Sequence, residues 1–125
     1  MTTLTETAHW GSFILSMDDD GNLSVDNITV LSGSGVLSPG TVLGKVTASG
    51  KYAPVNFGVG VADGTQTAAA ILVGRVDATS ADAAGVGLKR HAEVYSSGLI
   101  WPDGASSGNK TTALASLAAS LIVAR

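Results

Sequence analysis

The run AAILVGRVDATSADAA, residues 69–84, begins with apolar side chains at every position rather than every second one. A strand covered on only one face alternates apolar and polar residues. An unbroken run this short reads as a strand buried on both faces. Ala69 to Val76 is therefore predicted to be a buried strand. Asp77 to Ala84, rich in small residues, reads as a turn or a single helical turn, and Val86 to Tyr95 as a further strand. On the other side, Pro39-Gly40 marks a turn and Thr41 to Thr47 a strand. Ser49-Gly50 returns the chain into Lys51-Tyr52-Ala53-Pro54-Val55, giving a hairpin with Pro54 at an edge or strand end. Gly58 to Gly64 is a glycine-rich loop, and Ser97-Gly98 turns the chain into Leu99-Ile100-Trp101-Pro102.

One helix is expected, near the C-terminus. Ser106 or Ser107 can cap it, because a serine oxygen accepts a free N–H of the first turn. Ala113, Leu114, Leu117, Ala118 and Leu121 recur at helical spacing, and Ile122-Val123 reads as a final strand. The sequence thus predicts a mainly β fold with small α/β elements and a single C-terminal helix.

Ser32-Gly33-Ser34-Gly35 has the composition of a flexible linker, so the chain divides into residues 1–34, an extended N-terminal arm and linker, and a domain at 35–125. Within the arm, Phe13-Ile14-Leu15 and Ile28-Thr29-Val30-Leu31 are strand candidates. Asp20-Gly21 between them is a hairpin signal. An isolated two-stranded ribbon is marginal in water. Something else must cover Phe13, Ile14, Ile28 and Val30: a partner on which the arm orders, or the chain's own domain.

Composition removes several classes of function. A chain of 125 residues suits one domain. Aromatics are only 5%, with alanine and glycine abundant, which argues against a large ligand cavity. Net charge is −3 and the basic residues are scattered, so direct nucleic-acid binding is not expected. No cysteine is present, which excludes disulfides, a thiolate nucleophile and cysteine metal sites. Nothing at the start reads as a signal peptide and no apolar run has membrane-spanning length, so synthesis in the cytoplasm and no membrane partner are expected. Asn27-Ile28-Thr29 and Asn109-Lys110-Thr111 are then chance sequons.

Candidate chemistry fails on inspection. Placing Gly21 at the sixth position of a calcium loop puts Ser16 first and Asn27 twelfth, where a bidentate glutamate is required. His91-Ala92-Glu93 has the His-x-Glu of zinc deaminases but no cysteine pair to hold the metal. Strand alternation would put His91 and Glu93 on one exposed face. Gly58-Val59-Gly60 starts like a dinucleotide loop, yet Asp63 takes the third glycine's place and no helix follows. Of the two histidines, His9 lies in the arm. Asp63, Asp77, Asp82 and Asp103 sit in apparent turns, where carboxylates are ordinarily solvated. No catalytic residue, metal site or cofactor is expected, and the chain is read as no enzyme.

Several segments together resemble the lambda-type phage head decoration family: the hairpin from Gly40 to Tyr52, the strand and small-residue turn from Ala69 to Ala84, Leu99-Ile-Trp-Pro102, and the capped helix closing in Leu121-Ile-Val123. They occur in the family's order over about Phe13 to Arg125. The Phe-Ile-Leu-Ser pattern of the arm departs from lambda's own protein and is similar to other relatives. The resemblance implies a β-clip-like domain and a capsid-stabilising (cement) role. It implies a homotrimer at local threefold sites on the outer surface of the expanded head, holding the shell against the pressure of packaged DNA. The arm would add a strand to a neighbouring major capsid protein. Phe13, Ile14, Leu15, Ile28 and Val30 are then the capsid-binding residues, with Trp10 as a further anchor, while Trp101 and Pro102 shape the domain. A β-rich tail or host-surface binding module is the competing reading. It would call for an exposed aromatic patch.

Overall fold

The computed structural model describes residues 9–17 and 23–125. Ten strands and one α-helix follow in the order β1 (Ile14–Met17), β2 (Val25–Val30), β3 (Gly35–Leu37), β4 (Val42–Lys45), β5 (Tyr52–Pro54), β6 (Ala68–Leu72), β7 (Val76–Ala78), β8 (Ala83–Leu88), β9 (Ala92–Val94), α1 (Ser107–Ala119) and β10 (Ile122–Ala124). The expected class, mainly β with one C-terminal helix, is what forms.

Five strands close a barrel in the order β2-β5-β4-β6-β8. All neighbours are antiparallel except β2 and β5, which meet in parallel at the single pair Val30↔Tyr52. A three-stranded sheet, β1-β9-β10, and a two-stranded one, β3-β7, complete the fold.

Strand β6 explains its own composition. Ala70 and Leu72 point into one core with Ile28, Val30, Leu43 and Tyr52. Ile71, with Val73 just beyond the strand, points into a second core with Phe13, Val42, Leu88, Val94, Leu117 and Ile122. Two bodies cover the strand, one on each face, so no polar residue has a place along it. Helix α1 packs on β6 and β10 and buries Ala113 and Leu117. Its start is capped as expected: the Asn109 N–H donates to Ser106 Oγ at 3.1 Å.

The N-terminal segment differs from expectation. β1 and β2 do not form a hairpin with each other. β1 pairs with β9, and β2 runs antiparallel to β8 from Val25↔Leu88 to Val30↔Ala83. The Asp18–Asn22 turn lies outside the described residues. The boundary at Gly35 is also corrected, because β2 is a barrel strand and belongs to the domain. Nor does Ser32–Gly35 act as a linker. The Ser32 N–H donates to Asp82 Oδ1 at 2.8 Å, the Gly33 N–H donates to the Ala78 carbonyl at 2.8 Å, and Gly35 opens β3 opposite Ala78. Its glycines serve the turn, with φ of 89° at Gly33 and 82° at Gly35.

Two long strand predictions are each divided. Ala69–Val76 breaks after Leu72, and β7 then joins a different sheet. Val86–Tyr95 breaks at His91, whose φ of 52° reverses the chain between β8 and β9. Ser24, fully buried, holds that corner: its carbonyl accepts from the Lys89 N–H and its hydroxyl donates to the His91 carbonyl.

Candidate functional site

Of the six residues expected to form a capsid-binding arm, the fold consumes three. Phe13 is 2% exposed and sits in the core under α1, while Ile28 and Val30 face the barrel interior. The reason is geometric. Side chains two apart on β2 share one face, and barrel closure turns that face inward. Ile14, half-buried, pairs with Val94.

Trp10 and Leu15 remain outside. Trp10 is 63% exposed, in the turn before β1. The Gly11 N–H anchors that turn to the Val73 carbonyl at 2.9 Å. One edge of the indole lies on Gly74, where a Cβ would come within 2.7 Å of Trp10 Cδ1. Glycine is needed for this approach. Leu15, 38% exposed, sits at an irregularity in the β1–β9 register between Ile14 and Ser16. Ser16, Glu93 and Val123 line up across β1, β9 and β10 on the outward face, opposite the buried Ala92, Val94 and Ile122. The Arg125 guanidinium donates to Glu93 Oε1 at 3.0 Å on the same side. This sheet presents short edge strands and a mixed apolar and charged face.

Trp101 and Pro102 lie elsewhere. The Trp101 ring stacks on Phe57, centroids 6.4 Å apart, and packs against the core beneath. Both residues also border a groove of about 400 Å³ with Val36, Leu37, Pro54 and Ile100. Exposed apolar residues outside the expected set are Leu23, Val36, Val59, Tyr95, Ile100, Leu121 and Val123. Val59 carried a legible signal: a valine between two glycines, Gly58 and Gly60, belongs to no strand that could bury it.

Charged groups serve local structure. Asp26 accepts from Arg90 at 2.8 Å and lies 3.4 Å from Lys89 Nζ. The Arg90 hydrogen bond, aided by Lys89, holds its carboxyl below the usual range. Asp63 and Asp77 each accept from the hydroxyl and N–H of the threonine two residues on, Thr65 and Thr79, which lowers both carboxyls. Asp82 is lowered by its contact with Lys51 and by the Ser32 N–H. These are the solvated turn formers expected of such carboxylates. His91 and Glu93 do not share a strand face, because His91 lies in the reversal before β9. Among the described residues no three His, Asp or Glu side chains are grouped as metal ligands, and no helix is long and apolar enough to cross a membrane.

The arrangement defines a small barrel domain with several exposed apolar side chains at its surface. The model of the bacteriophage lambda head decoration protein D family matches residues 3–122, and the chain belongs to that family. It is thus a structural component of a phage head, on the capsid. No curated protein sequence matches the chain.

Proposed function

We propose that this chain is a cement protein. It binds as a homotrimer at local threefold sites on the outer surface of the expanded head and holds that shell against the pressure of packaged DNA. Its partners are the major capsid protein and itself, and it carries out no catalysis. The observation that supports this reading is the family match across residues 3–122, nearly the whole chain. Binding only the expanded lattice stabilises that state by mass action. Several copies held together convert weak single contacts into tight attachment through effective concentration.

Capsid contact is assigned to Trp10 and Leu15 together with the residues that precede them. Both side chains are exposed; Leu15 belongs to β1, a sheet edge where a strand can be added, and Trp10 lies in the turn before it. Phe13, Ile28 and Val30 are withdrawn from that role, since they cannot fill the core and a partner's pocket at once.

The test mixes the purified chain with expanded and with compact shells of the cognate capsid protein, then pellets the shells. Saturable co-pelleting with expanded shells, and a higher temperature of shell disruption when decorated, are expected. Equal binding to compact shells would remove the selectivity for the expanded state. No binding to either would overturn the reading.

A further inference from the structure

We propose that the hollow between the end of α1 and the Lys89–His91 corner binds a peptide segment of another protein, one that carries a carboxylate beside an aliphatic side chain. The site uses none of the residues assigned above to capsid contact.

The hollow, of about 440 Å³, takes Lys45 from the end of β4, Lys89, Arg90 and His91 from the corner before β9, and Ala119 and Leu121 from the end of α1. Its cations are three of the chain's seven lysines and arginines, and among the described residues no carboxylate lines it. Asp26 pairs with Lys89 and Arg90, which leaves Lys45 without an ion-pair partner among the described residues. A chain of net −3 thus gathers positive charge in one place. Lys89 is oriented in advance, its ammonium 5.7 Å from the centre of the Tyr52 ring. The Leu117, Ala118 and Ser120 carbonyls at the end of α1 are engaged by the Ser120, Leu121 and His91 N–H groups, so they do not draw on these cations.

Backbone conformation supplies an independent observation. His91, with φ of 52°, and Leu121, with φ of 64°, are the non-glycine residues of positive φ among the described residues, and both line this hollow. They are joined: the His91 N–H donates to the Ser120 carbonyl and the Ala92 N–H to the Leu121 carbonyl. Leu121 follows the Ser120 cap of α1, a position where a left-handed residue is ordinarily glycine. A leucine there is strained, and at 56% exposed it gains little burial in return. Strain retained at an exposed apolar side chain points to its use by a ligand. The two halves of the hollow define that ligand. An inorganic anion would use the cations and gain nothing from Leu121 or Ala119. A nucleic acid would have to bring its phosphates to a chain of net negative charge. A carboxylate next to an aliphatic side chain uses both halves, and a peptide supplies the two together.

Amide chemical shifts of the isotope-labelled intact chain test this during titration with the capped peptide Glu-Leu-Glu-Glu-Leu-Glu. Shifts are expected at Lys45, Lys89 to His91 and Ala119 to Leu121, fading as salt rises to about 0.5 M, where exposed charges are screened. The same peptide with glutamine for glutamate, and inorganic phosphate, should leave the Leu121 amide in place. Lys45→Glu should weaken peptide binding at least about tenfold, whereas Lys110→Glu, the same charge change at the opposite end of α1, should stay within about twofold of the parent. Leu121→Gly should raise the melting temperature, because the strain is relieved, and weaken the peptide at least about threefold, because the apolar contact is lost. Absence of shifts at these amides, an equal response to the glutamine peptide, or unchanged affinity in Lys45→Glu would overturn the proposal. Phosphate moving Leu121 as strongly as the peptide does would overturn the peptide as ligand. A lower melting temperature for Leu121→Gly would show that the leucine serves the fold, and would remove the strain on which its role rests. No shell enters the titration, so failure here leaves decoration standing, and failure to bind shells leaves this site standing.

Discussion

Strand β2 is paired with β8 along all six of its residues and touches β5 at its end, with Ile28 and Val30 sealed inside the barrel. Strand β1 has four residues at the edge of a three-stranded sheet, an irregular register, and Leu15 and Ser16 turned outward. Both come from one N-terminal segment of similar apolar content, and the fold uses them in opposite ways. β2 meets β5 only at Val30↔Tyr52, but Ile28 and Val30 face the barrel interior, so it offers a partner no exposed apolar side chain. β1 lies at an open sheet edge and carries the exposed Leu15. The comparison shows that apolar residues near a terminus are free for a partner only where their own domain does not already enclose them.

The largest expected effects lie in the enclosed part. Phe13→Ala should cost about 3–5 kcal/mol and Ile28→Ala about 2–5 kcal/mol of folding stability, from lost burial and the cavity left behind. Urea unfolding measures both. A loss under 1 kcal/mol for Ile28→Ala would mean that β2 is not part of the cooperative barrel, and the contrast with β1 would fall.

Leu15→Ser should change stability by no more than about 0.5 kcal/mol, as expected for an exposed site, while weakening shell binding. A large stability loss there would place β1 with β2 as a structural strand.

The smallest effect concerns Asp26 on β2. Its carboxyl is held below 3.8 in the folded chain, first by the Arg90 hydrogen bond and then by Lys89. A group whose pKa falls on folding adds stability above its unfolded value, and that stability is lost as pH drops through the folded value. Asp26 is partly exposed, so solvent screens the pair, and Asp26→Asn should cost only about 0.2–1 kcal/mol at pH 7. The difference between parent and variant should vanish once the pH falls below the folded carboxyl's range. A difference unchanged at low pH would assign it to hydrogen-bond shape rather than charge.

Much of the fold was legible in the sequence. The doubly buried β6, the β4–β5 hairpin, the capped helix and the closing strand all follow from periodicity and turn residues within a few positions of one another. The fate of the N-terminal segment was not legible, because alternation puts Ile28 and Val30 on one face without saying what covers it. The cover comes from strands up to sixty residues away in sequence, β4, β5, β6 and β8 among them, and from a closure made at the single pair Val30↔Tyr52. Ser32–Gly35 misled for a related reason, since serine and glycine serve both flexible linkers and tight turns. His91 misled because even histidine, among the residues that tolerate a left-handed backbone, adopts it too seldom for its presence to announce a break. The candidate site was half legible: Trp10 and Leu15 remain available, and the groove face around Ile100 gave no sign beyond Val59 between its glycines.

The most direct test of the account is the affinity for expanded shells of a variant lacking Thr2–Ala8 and carrying Trp10→Ala, compared with the intact chain. The account predicts at least tenfold weaker co-pelleting with a melting temperature within a degree or two of the parent. Unchanged shell affinity in that folded variant would contradict it and move the capsid contact onto the body of the domain.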